Sequence, residues 1–164
     1  MTLPLNLVND IVTAELKQCE SLVIPNYLEI STYDTKTQTF TVNLTSKIDD
    51  EKFILEVECE NYNEWPPFLE FIDPVTRERE ILNAYPKCDD GFFNKMKSIG
   101  CICNPCSRKS YKGYSGPHKD DTSWVLTGWK SNPKVSSLTT LPAIITAIYH
   151  RINDKSKYEG RMKP

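Results

Sequence analysis

Apolar residues recur at spacings of three and four near both ends of the chain and alternate with polar ones between. Near the start, Leu5, Val8, Ile11, Val12 and Leu16 fall on one helical stripe, with Asn9, Asp10, Thr13 and Lys17 opposite. This predicts a helix from about Leu5 to Cys19, ended ahead of Pro25, whose ring cannot continue it. Four strand-like runs follow: YLEISTYD, QTFTVNLTS, KFILEVECE and PFLEFID. Alternation places Phe40, Val42 and Leu44 on one face, then Phe53, Leu55, Val57 and Cys59. The connections DTKT and KIDDE are short and polar, so an antiparallel meander is the economical topology. Its apolar face must be covered, and the helices at either end are the candidates. Pro66 and Pro67 fix φ and remove two backbone donors, which makes a rigid extended approach to the fourth strand. Asp73-Pro74 closes that strand.

From Thr76 to Ser137 periodicity fades, and Gly, Pro, Asn, Ser, Lys and Asp dominate. So long a loop in a compact domain is functional or disordered. The cysteines and aromatics threaded through it favour an ordered functional region. A second helical stripe then appears: Leu138, Leu141, Ile144, Ile145, Ile148 and Ile152. Pro142 falls near its start, where proline is tolerated, and Thr139 or Thr140 can cap it. The tail NDKSKYEGRMKP (153–164) is polar and is expected to fray. There is no internal repeat. The expected fold class is α+β, in one domain over residues 1–164.

Composition narrows the function classes. With 164 residues the chain can bury a core without disulfide or metal support. A net charge of −2 argues against nucleic acid as a partner, because phosphate binding needs a surplus of Lys and Arg on one face. No apolar run approaches the ~20 residues that span a bilayer, so no membrane partner is expected. The start MTLPLNLVNDIV lacks the early basic residues of a signal peptide. The expected location is therefore cytoplasmic, where thiols stay reduced. Six cysteines in that setting point to catalysis, metal binding or core packing.

Three of the six lie in GCICNPCSRKSY, at Cys101, Cys103 and Cys106. In an extended segment Cys101 points away from the side that Cys103 faces. NPCS reads as a turn that would expose Cys106, which makes it a rival nucleophile. Cys103 and Cys106 also have zinc-knuckle spacing, which Cys101 and His118, or Cys88, can complete, although a second paired knuckle is missing. A redox Cys-x-x-C reading is weaker, since SRKSYKGYSG is a poor helix. Cys19 and Cys59 read as core, and His150 as a surface or packing residue one position off the last stripe. Trp124 and Trp129 read as core or as walls of a groove. Lys95, Lys97, Arg108, Lys109 and Lys112 surround Cys103 in sequence and are expected to lower its thiol pKa. Asp120 and Asp121 are available as proton acceptors or form a solvated loop.

The order helix, four-strand meander, paired prolines, cysteine-bearing loop and helix resembles the ubiquitin-conjugating enzyme fold. Residues that carry the resemblance are Tyr62, then Trp65-Pro66-Pro67, then Phe71 and Pro74, and the Gly-x-Ile-Cys segment at Gly100, Ile102 and Cys103. Trp124 or Trp129 and the helix from Leu138 complete the set, which covers roughly Leu5 to Ile152. The likeness is to the prokaryotic branch, found beside ubiquitin-like modifiers and their activating enzymes. The chain departs from the eukaryotic pattern in three ways. The family's His-Pro-Asn tripeptide is missing, with Phe92 to Asn94 its nearest remnant; the segment after the cysteine is expanded; and two further C-terminal helices are lacking. Prokaryotic relatives often carry a histidine after the cysteine, which His118 would match.

The resemblance implies an enzyme that takes a ubiquitin-like modifier from an activating enzyme as a thioester on Cys103. It then passes the modifier to a target nucleophile, and no cofactor is required. Asn94 or His118 would donate to the oxyanion, and His118 could act as base. The outer face of the first helix, with Asn9, Asp10 and Lys17, would dock the activating enzyme. The alternative is a non-catalytic scaffold that binds a ubiquitin-like protein and holds zinc through Cys101, Cys103, Cys106 and His118.

Overall fold

The first apolar stripe folds as α1, Leu5–Cys19. Val8, Val12 and Cys19 are buried, with Ile11 and Leu16 packed against the same core. Leu5, expected on the stripe, is 53% exposed, so the buried seam starts at Val8. The coordinates come from a computed structural model that describes all residues, Met1–Pro164. No helix is long and apolar enough to cross a membrane.

The four strand-like runs form β1 (Leu28–Ile30), β2 (Thr39–Thr45), β3 (Lys52–Glu58) and β4 (Phe68–Ile72). They pair antiparallel in chain order, as the short polar connections require. In register, Phe40 faces Val57, Val42 faces Leu55, and Leu44 faces Phe53. These six side chains are buried on one face with Leu69 and Phe71 of β4. The later stripe forms α2, Leu141–Ile152, which buries Leu141, Ile144, Ile145, Ile148 and Ile152. Thr140 caps it, its hydroxyl accepting from Ala143 N at 3.3 Å. Leu138 is buried but lies ahead of the helix. One hydrophobic core draws on both helices and the inner sheet face. Glu15 of α1 pins the parts together: Oε2 accepts from Tyr62 OH and from Leu141 N, both at 2.7 Å.

The long connection is ordered and contains elements without sequence periodicity. A short β5 (Pro86–Cys88) is followed by the hairpin β6 (Phe93–Met96) and β7 (Ile99–Ile102). The hairpin turns at Lys97, whose φ is +56°. Gly100 of β7 lies directly under the Tyr85 ring. A Cβ there would stand 2.3 Å from Tyr85 Cδ2, so only glycine fits.

The tail does not fray as expected. Tyr158–Arg161 forms β8, which pairs antiparallel with β5. Met162 N donates to Tyr85 O at 2.9 Å, and Arg161 binds Glu51 Oε2 through Nε and Nη2 at 3.0 and 2.9 Å. Tyr158 and Met162 are buried among otherwise polar neighbours. Two anchors four residues apart are too sparse to register as a pattern, yet strand pairing and a two-pronged ion pair hold the segment.

Candidate active site

Cys103 follows directly on β7, where Cys103 N donates to Phe92 O at 2.8 Å. Of the six cysteines it alone has partial exposure. Cys101, two residues back, is buried and directs its thiol to Asn94 O at 3.7 Å, as an extended segment predicts.

Cys106 is fully buried, contrary to the expectation that its turn would expose it. Asn104 Oδ1 accepts from Cys106 N at 2.9 Å, and this Asx turn folds Cys106 inward against the core. Burial pushes its thiol up to about 12. The rival nucleophile is therefore withdrawn from solvent. No group of three or more His, Cys, Asp or Glu side chains is placed to hold a metal ion. Cys101, Cys103, Cys106 and His118 thus do not assemble into the zinc set the alternative needs.

His118 comes to Cys103 from 15 residues away. Its Nε2 lies 3.6 Å from Cys103 Sγ, and its Nδ1 lies 3.4 Å from Asp121 Oδ2. Backbone bonds place it. Gly116 N donates to Lys109 O at 2.9 Å, and His118 N donates to Ser110 O at 3.1 Å. A Cβ on Gly116 would sit 2.5 Å from Lys109 O, so this close approach requires glycine. Buried Ser110 joins the two halves of the site, because its hydroxyl also donates to Ile102 O at 2.7 Å, next to Cys103. The imidazole stacks on Trp124, with ring centroids 3.6 Å apart and planes 8° from parallel. Trp124 is braced edge-on by Tyr111 at 5.3 Å.

Asp121 and Asp120 prove unequal. The Asp120 side chain is 89% exposed, whereas Asp121 Oδ1 accepts from Ser123 Oγ at 2.6 Å and Ser123 N at 2.9 Å. These bonds hold the Asp121 carboxyl below the usual carboxylate range, with the His118 contact adding to the effect. An ionised carboxylate only accepts, so the Asp121 contact favours the tautomer with its hydrogen on Nδ1, the one in which Nε2 can take a proton from sulfur. The turn is closed by Asp121 N donating to His118 O at 3.0 Å.

The basic surplus around Cys103 does not act as expected. Arg108 is buried and spent on Glu58 Oε1 and Glu60 O, each at 2.9 Å. Lys109 is buried on Glu70 Oε1 at 2.9 Å. Lys95, Lys97 and Lys112 point into solvent. Burial therefore wins, and the Cys103 thiol is raised above its ordinary value of 9.0. The polar Asn94 side chain and the charge of Lys134 oppose that rise. Lys134 carried no sequence signal, being 31 positions downstream; Asn104 Nδ2 ties to its carbonyl at 3.2 Å. Asn94, Cys103 and His118 are thus brought together. His150 is exposed, on the outside of α2.

Beside the site a groove of about 470 Å³ runs between Trp124, Gly128, Asn132, Pro133 and Lys134. On α1, Asp10 and Lys17 are exposed, but Asn9 is engaged: its Oδ1 accepts from Tyr33 OH at 2.8 Å. No protein-family model matches this sequence, and comparison with curated proteins finds no match.

Proposed function

We propose that this chain is a ubiquitin-like-protein conjugating enzyme, which accepts a modifier from an activating enzyme as a thioester on Cys103 and transfers it to a target nucleophile. The observation that carries the reading is the Cys103 sulfur itself. It is the one accessible thiol, it touches a histidine, and the Asn94 side chain favours its thiolate. The Gly100-x-Ile102-Cys103 segment and the helix, meander and helix order support the same reading.

In loading, the Cys103 thiol gives its proton to His118 Nε2 as sulfur attacks the incoming thioester carbonyl. The Asn94 amide donates to the oxygen that becomes an oxyanion. The donor C–S bond breaks, and the proton passes from His118 to the departing thiolate. In discharge, an amine attacks the acyl-Cys103 carbonyl, His118 accepts the amine proton, and the Cys103 thiol is restored. The groove from Trp124 to Lys134 is where an extended acyl chain would lie, and Asp10 and Lys17 of α1 remain available to the activating enzyme.

The test is charging with activating enzyme, modifier and ATP, read on a non-reducing gel. The expected result is a thiol-sensitive adduct that Cys103→Ala abolishes and Cys106→Ala leaves. Loss only in Cys106→Ala would move the nucleophile by three residues and contradict the proposal.

A further inference from the structure

A base at the sulfur that can take the proton of an attacking amine can equally take one from water, so it leaves the thioester open to hydrolysis. Here the base is built in. His118 Nε2 lies 3.6 Å from Cys103 Sγ, its other nitrogen faces Asp121 Oδ2 at 3.4 Å, and Trp124 fixes the plane of the ring. The side chains of His118 and Asp121 are 20% and 38% exposed, so water reaches them. We infer that Cys103, His118 and Asp121 form a thiol-hydrolase triad, and that the protein cleaves its own acyl-Cys103 thioester with water as acceptor.

This inference rests on the reading of Cys103 as acyl carrier. In the acylated protein the carbonyl carbon is one bond from the sulfur that Nε2 touches. A water hydrogen-bonded to Nε2 is therefore beside that carbon. The water oxygen bonds to the carbonyl carbon as its proton moves to His118 Nε2. The Asn94 amide donates to the oxyanion. The C–S bond then breaks, the proton on Nε2 passes to the Cys103 sulfur, and a carboxylic acid leaves. Atoms balance with water alone. Asp121 does not touch the reacting atoms; it is a positioning residue that keeps the hydrogen on Nδ1 and the imidazolium stabilised. Two supports make the base rigid before acylation: the backbone bond from His118 N to Ser110 O and the turn closed by Asp121 N. A base held in place needs no reorganisation during reaction.

The experiment bypasses the activating enzyme. The full chain is loaded to completion with the mercaptoethanesulfonate thioester of a short glycine-terminated peptide, then desalted. Acyl-protein and free peptide acid are followed by mass spectrometry. The expected result is discharge to the acid without any added amine, slowed about 10²–10⁴-fold in His118→Ala. Asp121→Asn is expected to slow it by about tenfold or more, and Asp121→Glu, which keeps the carboxylate, to recover most of the rate. That recovery separates positioning from a loss of fold. Acyl-Cys103 that forms but persists equally in wild type, His118→Ala and Asp121→Asn overturns the triad and leaves the carrier reading standing. Discharge only when a lysine amine is added also overturns it. If wild type forms no acyl-Cys103, the carrier reading fails and the triad with it.

Discussion

At Cys103 the sulfur meets an imidazole and an amide, whereas at Cys106 it meets only core. The difference comes from a single Asx turn: Asn104 takes the amide hydrogen of Cys106 and folds that side chain inward. Reactivity at Cys103 is then a contest between burial, which favours the thiol, and two groups that favour the thiolate. Asn94→Ala removes one of them. The Cys103 thiol should rise further above its ordinary 9.0, and alkylation by iodoacetamide at pH 8 should slow. An unchanged rate would mean that the Asn94 amide does not serve the sulfur. Lys134→Gln should act in the same direction, and its effect should shrink in salt because this lysine is exposed.

Among the elements, the β6–β7 hairpin is the one that positions Cys103, and Gly100 is its most constrained residue. Gly100→Ala drives a methyl into the Tyr85 ring. A loss of about 1–3 kcal/mol in urea unfolding is expected, as for other overpacked cores. No loss would show that the ring moves freely aside. The same hairpin marks what the sequence conceals. α1, β1 to β4 and α2 were legible because each carries an apolar repeat of one period against a single core. The hairpin strands are four residues each and turn at a lysine, so neither alternation nor a glycine-asparagine turn announces them. The pairing of Cys103 with His118 was anticipated from residue type and resemblance. The sequence marks Asp121 as a proton acceptor and Trp124 as core or groove wall, but the orienting contact, the stack and the Ser110 bridge depend on how residues 102 to 124 fold back on themselves. Sequence nearness misled at Arg108 and Lys109, because acidic partners on and beyond β3 and β4 claim both charges.

Across the whole molecule, five of six thiols are buried and neutral. Burial raises Cys19 to about 11 and Cys88, Cys101 and Cys106 to about 12. In the unfolded chain these thiols ionise near 9.0, so between roughly pH 9 and 12 the unfolded state alone loses protons. Their contribution to stability is complete below pH 9 and is lost as pH rises through that window. The melting temperature should fall steadily there, and Cys106→Ala should flatten the slope; a flat profile in wild type would contradict the burial. The same packing that buries five thiols leaves Cys103 partly exposed, and the proposed function places the modifier there. The direct measurement is peptide mapping of the protein after brief charging with activating enzyme, modifier and ATP under non-reducing acidic conditions. The account predicts one thiol-labile acyl group, on Cys103, and none in Cys103→Ala. An acyl group on any other residue, or an undiminished adduct in Cys103→Ala, would contradict it.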